Sequence, residues 1–282
     1  MRADATTGST RRSPGKVAEP DGAGQPGIVA PPRRDRVVVV CCVIVLTALA
    51  WAGLVHFAQQ MTPGAATDPA MTHMPVAWSW SPSQIGLPFA MWTVMMVGMM
   101  TPAAAPVLLL FAGAQTRRDP QHARVAVAMF ALGYAVVWIV FSLFAAVAQS
   151  ALHAVATLSP QMSVSSARAG AVVLCAAGAY QLLPIKRACL VRCRSPLAFL
   201  MTRWRDGARG ALAMGLRHGA WCVGCCWALM AALFVVGVMN LAFVAALAVF
   251  VLIEKTGPAG VAVARIGGAL LIAAGALTLA GA

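Results

Sequence analysis

The chain has 282 residues, of which 60% are hydrophobic and only 10% are charged, with a mean hydropathy of +0.79. A composition this apolar excludes an ordinary soluble domain and indicates a polytopic membrane protein. The formal net charge of +13 comes from arginine-rich ends and loops between apolar segments, a distribution typical of cytoplasmic loops, so it does not indicate binding to nucleic acid.

The N-terminal residues 1–36 are rich in Gly, Pro, Ala, Arg and Asp and lack apolar periodicity, which predicts a disordered tail. The rest of the chain, 37–282, predicts an all-α transmembrane domain with about seven helices, or six if the short turn at 237–240 joins a re-entrant pair. The predicted spans cover residues 37–55, 84–113, 125–149, 169–183, 210–234, 241–255 and 261–281.

Basic residues alternate between the two ends of these spans. Arginine and lysine occur in the tail and in segments 114–124, 186–209 and 254–260, whereas 59–83 and 150–167 contain none. This pattern predicts a membrane protein with a cytoplasmic N-terminus and an extracytoplasmic C-terminus. We expect Glu254 and Lys255, at a cytoplasmic helix end, to form a local ion pair.

The second span contains an unusual run of methionines before Pro102. Because each helical residue turns by about 100°, they form two adjacent stripes, and the prolines predict a kink. The alternative is adaptable packing by flexible side chains. The methionines are Met95, Met96, Met99 and Met100.

The segment 186–209 is the most basic block of the chain and contains Cys189 and Cys193. The cysteines are four residues apart and have arginine neighbours, which favour the thiolate form. We predict that they receive or hand over a metal ion at the cytoplasmic face. The alternative is a pair of reduced cysteines beside a loop that sets topology.

The fifth span contains His218-Gly-Ala-Trp-Cys222-Val-Gly-Cys225-Cys226. On a helix, His218, Cys222 and Cys225 share one stripe, with Cys226 beside it. Ionisable groups within hydrocarbon are costly and usually mark a function. Imidazole with thiolate suits zinc or copper, whereas thioether with thiolate favours copper(I). The alternative is that the cysteines pack as small hydrophobic residues.

The methionines of the second span and the His/Cys residues of the fifth span are predicted to lie at the same depth in the membrane. Counted from the cytoplasmic ends at 1.5 Å per residue, Met99 and Cys222 both lie about 18–20 Å deep, close to the bilayer midplane. We therefore expect sulfur ligands from the second and fifth spans to form a single site.

Three motifs occur together over residues 84–281: Trp92-x-x-Met95-Met96-x-x-Met99-Met100-x-Pro102, Cys189-Leu-x-x-Cys193-x-Ser-Pro, and His218-Gly-x-x-Cys222-x-Gly-Cys225-Cys226. Together they resemble the bacterial family of predicted metal-binding integral membrane proteins (domain of unknown function 2182). The resemblance implies a multispanning membrane protein with a metal site. It assigns that site to the same residues: His218, Cys222, Cys225, Cys226, Met95, Met96, Met99, Met100, Cys189 and Cys193.

We therefore expect a membrane protein that binds copper(I), with zinc as the alternative ion. Its partners would be the metal ion, the lipid bilayer and an extracytoplasmic metalloprotein to which copper is delivered after storage or translocation. No Gly-rich phosphate loop is present, so ATP is not expected to drive the process, and a binding or transport protein is expected rather than an enzyme. The alternative function is a transmembrane thiol–disulfide electron carrier, which the spacing of Cys222, Cys225 and Cys226 permits.

Overall fold

A computed structural model describes residues 32–60, 82–154, 166–238 and 240–281. Regular structure within these ranges is helical, so the predicted all-α fold class is confirmed. Most of the predicted disordered tail lies outside the described residues, and the first helix begins at Arg33, four residues before the predicted span. The helices are α1 Arg33–Gln60, α2 Pro82–Arg118, α3 Ala123–Ala154, α4 Ala167–Leu182, α5 Pro184–Arg194, α6 Pro196–Arg203, α7 Gly207–Ala231, α8 Leu233–Val236, α9 Leu241–Thr256 and α10 Gly260–Ala280.

Five spans in the described chain are long and apolar enough to cross a membrane: α1, α2, α3, α7 with α8, and α10. The pair α4 and α5, bent by 63° between them, forms a sixth candidate. The described helices thus provide five spans, or six if the bent pair is one span, whereas the sequence predicts six or seven. Helix α9 has 16 residues, fewer than the roughly 20 that a simple span needs.

Helix α3 lies between α2 and α7, while α1 packs along α2 and α4 packs along α10. Helix α2 is one continuous element that includes Pro88, Pro102 and Pro106. The buried core between these helices contains the four predicted methionines of α2 and all three cysteines of α7. The predicted ligands of the second and fifth spans therefore face the same interior.

The turn between α8 and α9 lies at 237–240, where the sequence predicts a short turn. Gly237 adopts a φ of 103°, a conformation that glycine reaches without strain. The side chain of Asn240 accepts a hydrogen bond of 3.1 Å from the backbone N–H of Phe243 and so caps α9.

Helices α3 and α7 cross in backbone contact at a pair of glycines. A methyl group on Gly133 would overlap the carbonyl oxygen of Leu212, and one on Gly215 would overlap that of Phe130. Small residues allow such a close approach between membrane helices. The crossing directs Tyr134, which follows Gly133, toward the part of α7 that carries the cysteines.

The C-terminus of α9 is held by α5. The guanidinium of Arg194 donates hydrogen bonds to the backbone carbonyls of Glu254, Gly257 and Pro258, at 2.9, 2.5 and 3.3 Å. The last carbonyls of a helix have no partner within the helix, so a cation at this end is stabilising. This contact fixes the last turn of α9 beside the end of α5.

We expect Gly215→Ala to destabilise the protein by about 1–3 kcal/mol, because the added methyl group overpacks the backbone contact of α3 with α7. Thermal unfolding in detergent, followed by circular dichroism, measures the effect. Gly86→Ala is the matched control, since a Cβ at Gly86 meets nothing within 4 Å. Equal stability of the two variants would contradict the close crossing.

Candidate metal centre

The ammonium group of Lys255 lies among sulfur atoms in the interior. Its Nζ is 2.7 Å from Sγ of Cys222 and 3.7 Å from Sγ of Cys226. On the opposite helix, Sδ of Met100 is 3.8 Å away. Helices α2, α7 and α9 thus meet at one cation, which is 7% exposed.

A second thiol-bearing helix joins this point. The thiol of Cys193, in α5, packs against the core that contains Cys222 and Cys225 and lies close enough to both thiols to interact with them electrostatically. The thiols of Cys225 and Cys226 each donate to the carbonyl of Cys222, at 3.1 and 2.9 Å. These four cysteines are free, and the three of α7 are buried, whereas Cys193 is partly exposed. We call Cys193, Cys222, Cys225, Cys226 and Met100 the sulfur cluster.

Tyr134 ties the thiols to the thioether. Its hydroxyl oxygen lies 3.0 Å from Sγ of Cys222 and 3.2 Å from the carbonyl oxygen of Met100. Met100 and Cys222 therefore lie at one level of the bundle, whereas the depth argument pairs Cys222 with the neighbouring Met99. On the other side of α7, the hydroxyl of Tyr180 donates to the carbonyl of Gly224.

His218 lies one helical turn before Cys222 and is 2% exposed. The rings of Phe130, Tyr134 and Phe199 surround it, with centroids 6.2, 6.0 and 5.7 Å away. Its Nδ1 is buried and has no hydrogen-bond partner. A buried polar atom without a partner is costly, and imidazole nitrogen is a common metal ligand. The ring nitrogen is thus free to accept a ligand.

The remaining predicted methionines are buried and Cys189 is partly exposed, and none of them shares the contacts of the cluster. Met96 lines a cavity of about 590 Å³ between α1, α2 and α3. Met95 and Met99 are buried on the same helix at 0% and 1% exposure. Cys189 lies against the backbone of Gly224, where a Cβ would be 3.1 Å from its Sγ. Of the two cysteines predicted as a separate cytoplasmic relay, Cys193 belongs to the cluster and Cys189 lies one turn away.

Two sequence-based expectations differ from the structure. Glu254 forms its ion pair with Lys186, at 2.6 Å, and not with Lys255, because adjacent helical residues point about 100° apart. Lys186 also donates to the side-chain oxygen of Gln181. The segment 186–209, expected as a basic cytoplasmic loop, contains α5 and α6. It packs inward because Lys186 finds a carboxylate partner that makes its burial tolerable.

Sequence reasoning missed Lys186, Lys255 and Tyr134 as site residues, although composition contained a signal. Lys186 and Lys255 are two of only three lysines among 21 basic residues, and the chain has only two tyrosines. Both of those lysines are buried at the site, and both tyrosines contact the cysteine segment of α7. Lysine at these two buried positions, in a chain whose basic residues are mostly arginine, indicates that arginine would not serve there.

The donor set fits a soft metal ion. Among residues 32–60, 82–154, 166–238 and 240–281, no three or more His, Cys, Asp or Glu side chains form a ready metal site. The position among the sulfur atoms of the cluster is occupied by the ammonium group of Lys255. Thiols, a thioether and the unpartnered nitrogen of His218 are the donors that soft and borderline metals prefer.

The fold is a polytopic all-α bundle whose helices are long and apolar enough to span a membrane and whose core contains soft donor side chains. The chain belongs to the PpoB2 family, described as a copper chaperone, whose family model matches residues 89–278. The match includes every predicted ligand. It confirms the association with copper, but not the family name that the motifs suggest. No curated protein and no solved structure matches the chain.

Replacing either partner of the buried pair, as in Lys186→Met or Glu254→Leu, should destabilise the fold by about 3–5 kcal/mol, because an uncompensated charge remains. The double variant Lys186→Met/Glu254→Leu should lie within about 1 kcal/mol of the wild type, since both charges leave together. Thermal unfolding of the three variants forms a double-mutant cycle. Additive losses would show that the two side chains do not interact.

Proposed function

We propose that this protein binds copper(I) at the sulfur cluster inside the membrane and delivers it to a copper-requiring protein outside the cytoplasm. One observation carries the proposal. Two thiols of α7 and a thioether of α2 converge on one buried position that already accommodates the ammonium of Lys255. Membership of a copper chaperone family supports copper as the cargo.

The donor chemistry supports copper(I) over zinc. Met100 contributes a thioether, which zinc rarely uses and copper(I) accepts. Thiolates also neutralise the charge of the ion, which lowers the cost of holding it in a medium of low polarity. Zinc remains the alternative cargo, with thiolates of the cluster and His218 as its ligands.

The residues have graded roles in this proposal. Cys222, the centre of the cluster contacts, would be the principal ligand, with Cys193, Cys225, Cys226 and Met100 completing the first set of donors. His218 would be a further ligand on the same helix. The buried thioethers of Met95, Met96 and Met99 would form weaker positions along α2, and the partly exposed Cys189 a transfer position on α5.

The orientation follows from the basic residues. Arginines of the tail (residues 1–36) and of the α2–α3 and α5–α7 segments favour the cytoplasmic side of the bacterial plasma membrane, which makes residues 37–282 the membrane domain. The sequence contains no phosphate-binding loop, so the affinity of the receiving metalloprotein, rather than ATP hydrolysis, would drive transfer.

Adjacent thiols also permit the alternative, a thiol–disulfide carrier. The proximity of Cys193 to Cys222 and Cys225 favours it, because thiols of two helices lie in the same part of the core. The thiol–disulfide alternative gives no role to Met100 or to the ammonium of Lys255. Acid quenching and alkylation of cells, followed by mass spectrometry, would identify a Cys193 disulfide that forms and disappears with growth conditions.

Wild-type protein, purified in detergent under reducing conditions and loaded with copper(I), should retain about one equivalent of copper, as expected for a single soft site. Cys222→Ser removes the central thiol and should retain less than about a fifth of that amount. Elemental analysis measures the copper. The control is Cys175→Ser, since Cys175 contacts the carbonyl of Ile272 in α10, away from the cluster. Equal copper in all three proteins, or none in any, would contradict the proposal.

Met100→Leu should weaken copper(I) binding about tenfold, or about 1.4 kcal/mol, because it deletes one thioether donor while preserving side-chain volume. Competition with a copper(I) chelator gives the affinity. Met91→Leu is a matched control on the same helix, since both methionines are 1% exposed. An equal effect of the two substitutions would mean that methionine contributes packing alone.

A further inference from the structure

We propose that Lys255 makes the sulfur cluster selective for monovalent soft cations, because its ammonium is the resident cation that the metal ion replaces. This inference rests on the proposed function and adds the charge of the cargo and the residue that determines it.

The position of Lys255 carries the inference. Its Nζ lies within 3.8 Å of three sulfur atoms, those of Met100, Cys222 and Cys226. The neighbouring carboxylate of Glu254 is paired with Lys186 and faces α5. The contacts of the ammonium are therefore those that a small cation bound by these sulfurs would make.

Charge conservation then determines which ions fit. Each thiol that becomes a ligand releases its proton to solvent, and this release is the same for either ion. With equal proton release, a dication in place of the ammonium brings one positive charge more than a monocation into a medium where charge is costly. The electrostatic repulsion from an ammonium that stays nearby is also twice as large for a dication as for a monocation at the same distance. The cluster should therefore accept copper(I) or silver(I) and reject zinc(II) or cobalt(II).

Lysine suits this exchange better than the arginine that dominates elsewhere in the chain. Its charge is compact and sits on a flexible four-carbon stem, so it can withdraw from the sulfurs without a large change in shape. The backbone around it is held by the bonds from Arg194 to the carbonyls of Glu254 and Gly257. Withdrawal would therefore involve the side chain, and the helices would stay in place.

Silver(I) and cobalt(II) test the charge rule on purified protein. Wild type should bind silver(I) and show negligible thiolate-to-cobalt absorption. Lys255→Met and Lys255→Gln, which remove the charge, should raise the affinity for cobalt(II) relative to silver(I) at least about tenfold. Lys255→Arg keeps the charge and should still reject cobalt(II). Arg265→Met is the control, since it removes a cation from α10 outside the cluster.

A second measurement needs no variant, so it stands even if the neutral variants fail to fold. Silver(I) loading of the wild type should increase acylation of Lys255 several-fold, as read by mass spectrometry, because the amine leaves the sulfurs. Lys186, which stays paired with Glu254, is the internal control and should remain unlabelled.

The outcomes separate the two proposals. Silver(I) binding with an unchanged cobalt-to-silver preference in a folded neutral variant overturns the selectivity role of Lys255 and leaves copper binding intact. Unaltered acylation of Lys255 after silver(I) loading overturns the exchange in the same way. Failure of the wild type to bind silver(I) or copper(I) overturns the proposed function, and this inference with it.

Discussion

Charged side chains can be buried in an apolar helix bundle only when each has a partner, and this constraint organises the centre of the protein. Lys186 is paired with Glu254 at 2.6 Å, and Lys255 lies 2.7 Å from the sulfur of Cys222. The first contact joins α5 to α9, and the second joins α9 to α7. Because Glu254 and Lys255 are adjacent, the two contacts together fix the rotation of α9 about its axis. Three helices are thus oriented by two cations, and the thiols of α5 and α7 face each other as a result.

The contact of α3 with α7 supplies the other half of the arrangement. Gly133 and Gly215 let the two backbones touch, so the side chain after Gly133 reaches α7 two turns beyond the crossing. That side chain is Tyr134, whose hydroxyl lies between Cys222 and the backbone of Met100. Helix α2 thereby presents one of its methionines to the cluster. The site therefore depends on glycine positions that carry no chemistry themselves.

Local patterns predicted most of the helices but only part of the site. Long apolar runs placed α1, α2, α3, α7 and α10 to within a few residues, because the burial of an apolar helix is signalled by residues that are near in sequence. The same reasoning failed for α5 and α6. Their basic composition resembles a loop, and the carboxylate that makes Lys186 tolerable lies 68 positions further along the chain. Helical periodicity likewise predicted two methionine stripes on α2. Only the packing of α2 against the other helices shows that Met100 is the methionine that contacts Lys255.

In the proposed function, the ammonium of Lys255 also provides a way to release the bound copper(I). Several thiolates around copper(I) would bind it tightly, and a protein that only binds tightly does not deliver. Transfer is governed by the difference in free energy between the loaded and the empty states. An ammonium that returns to the sulfurs as the metal leaves gives the empty cluster favourable contacts of its own, so the empty state is stabilised. The same side chain that discriminates by charge would therefore lower the affinity to a level at which a receiving protein can compete.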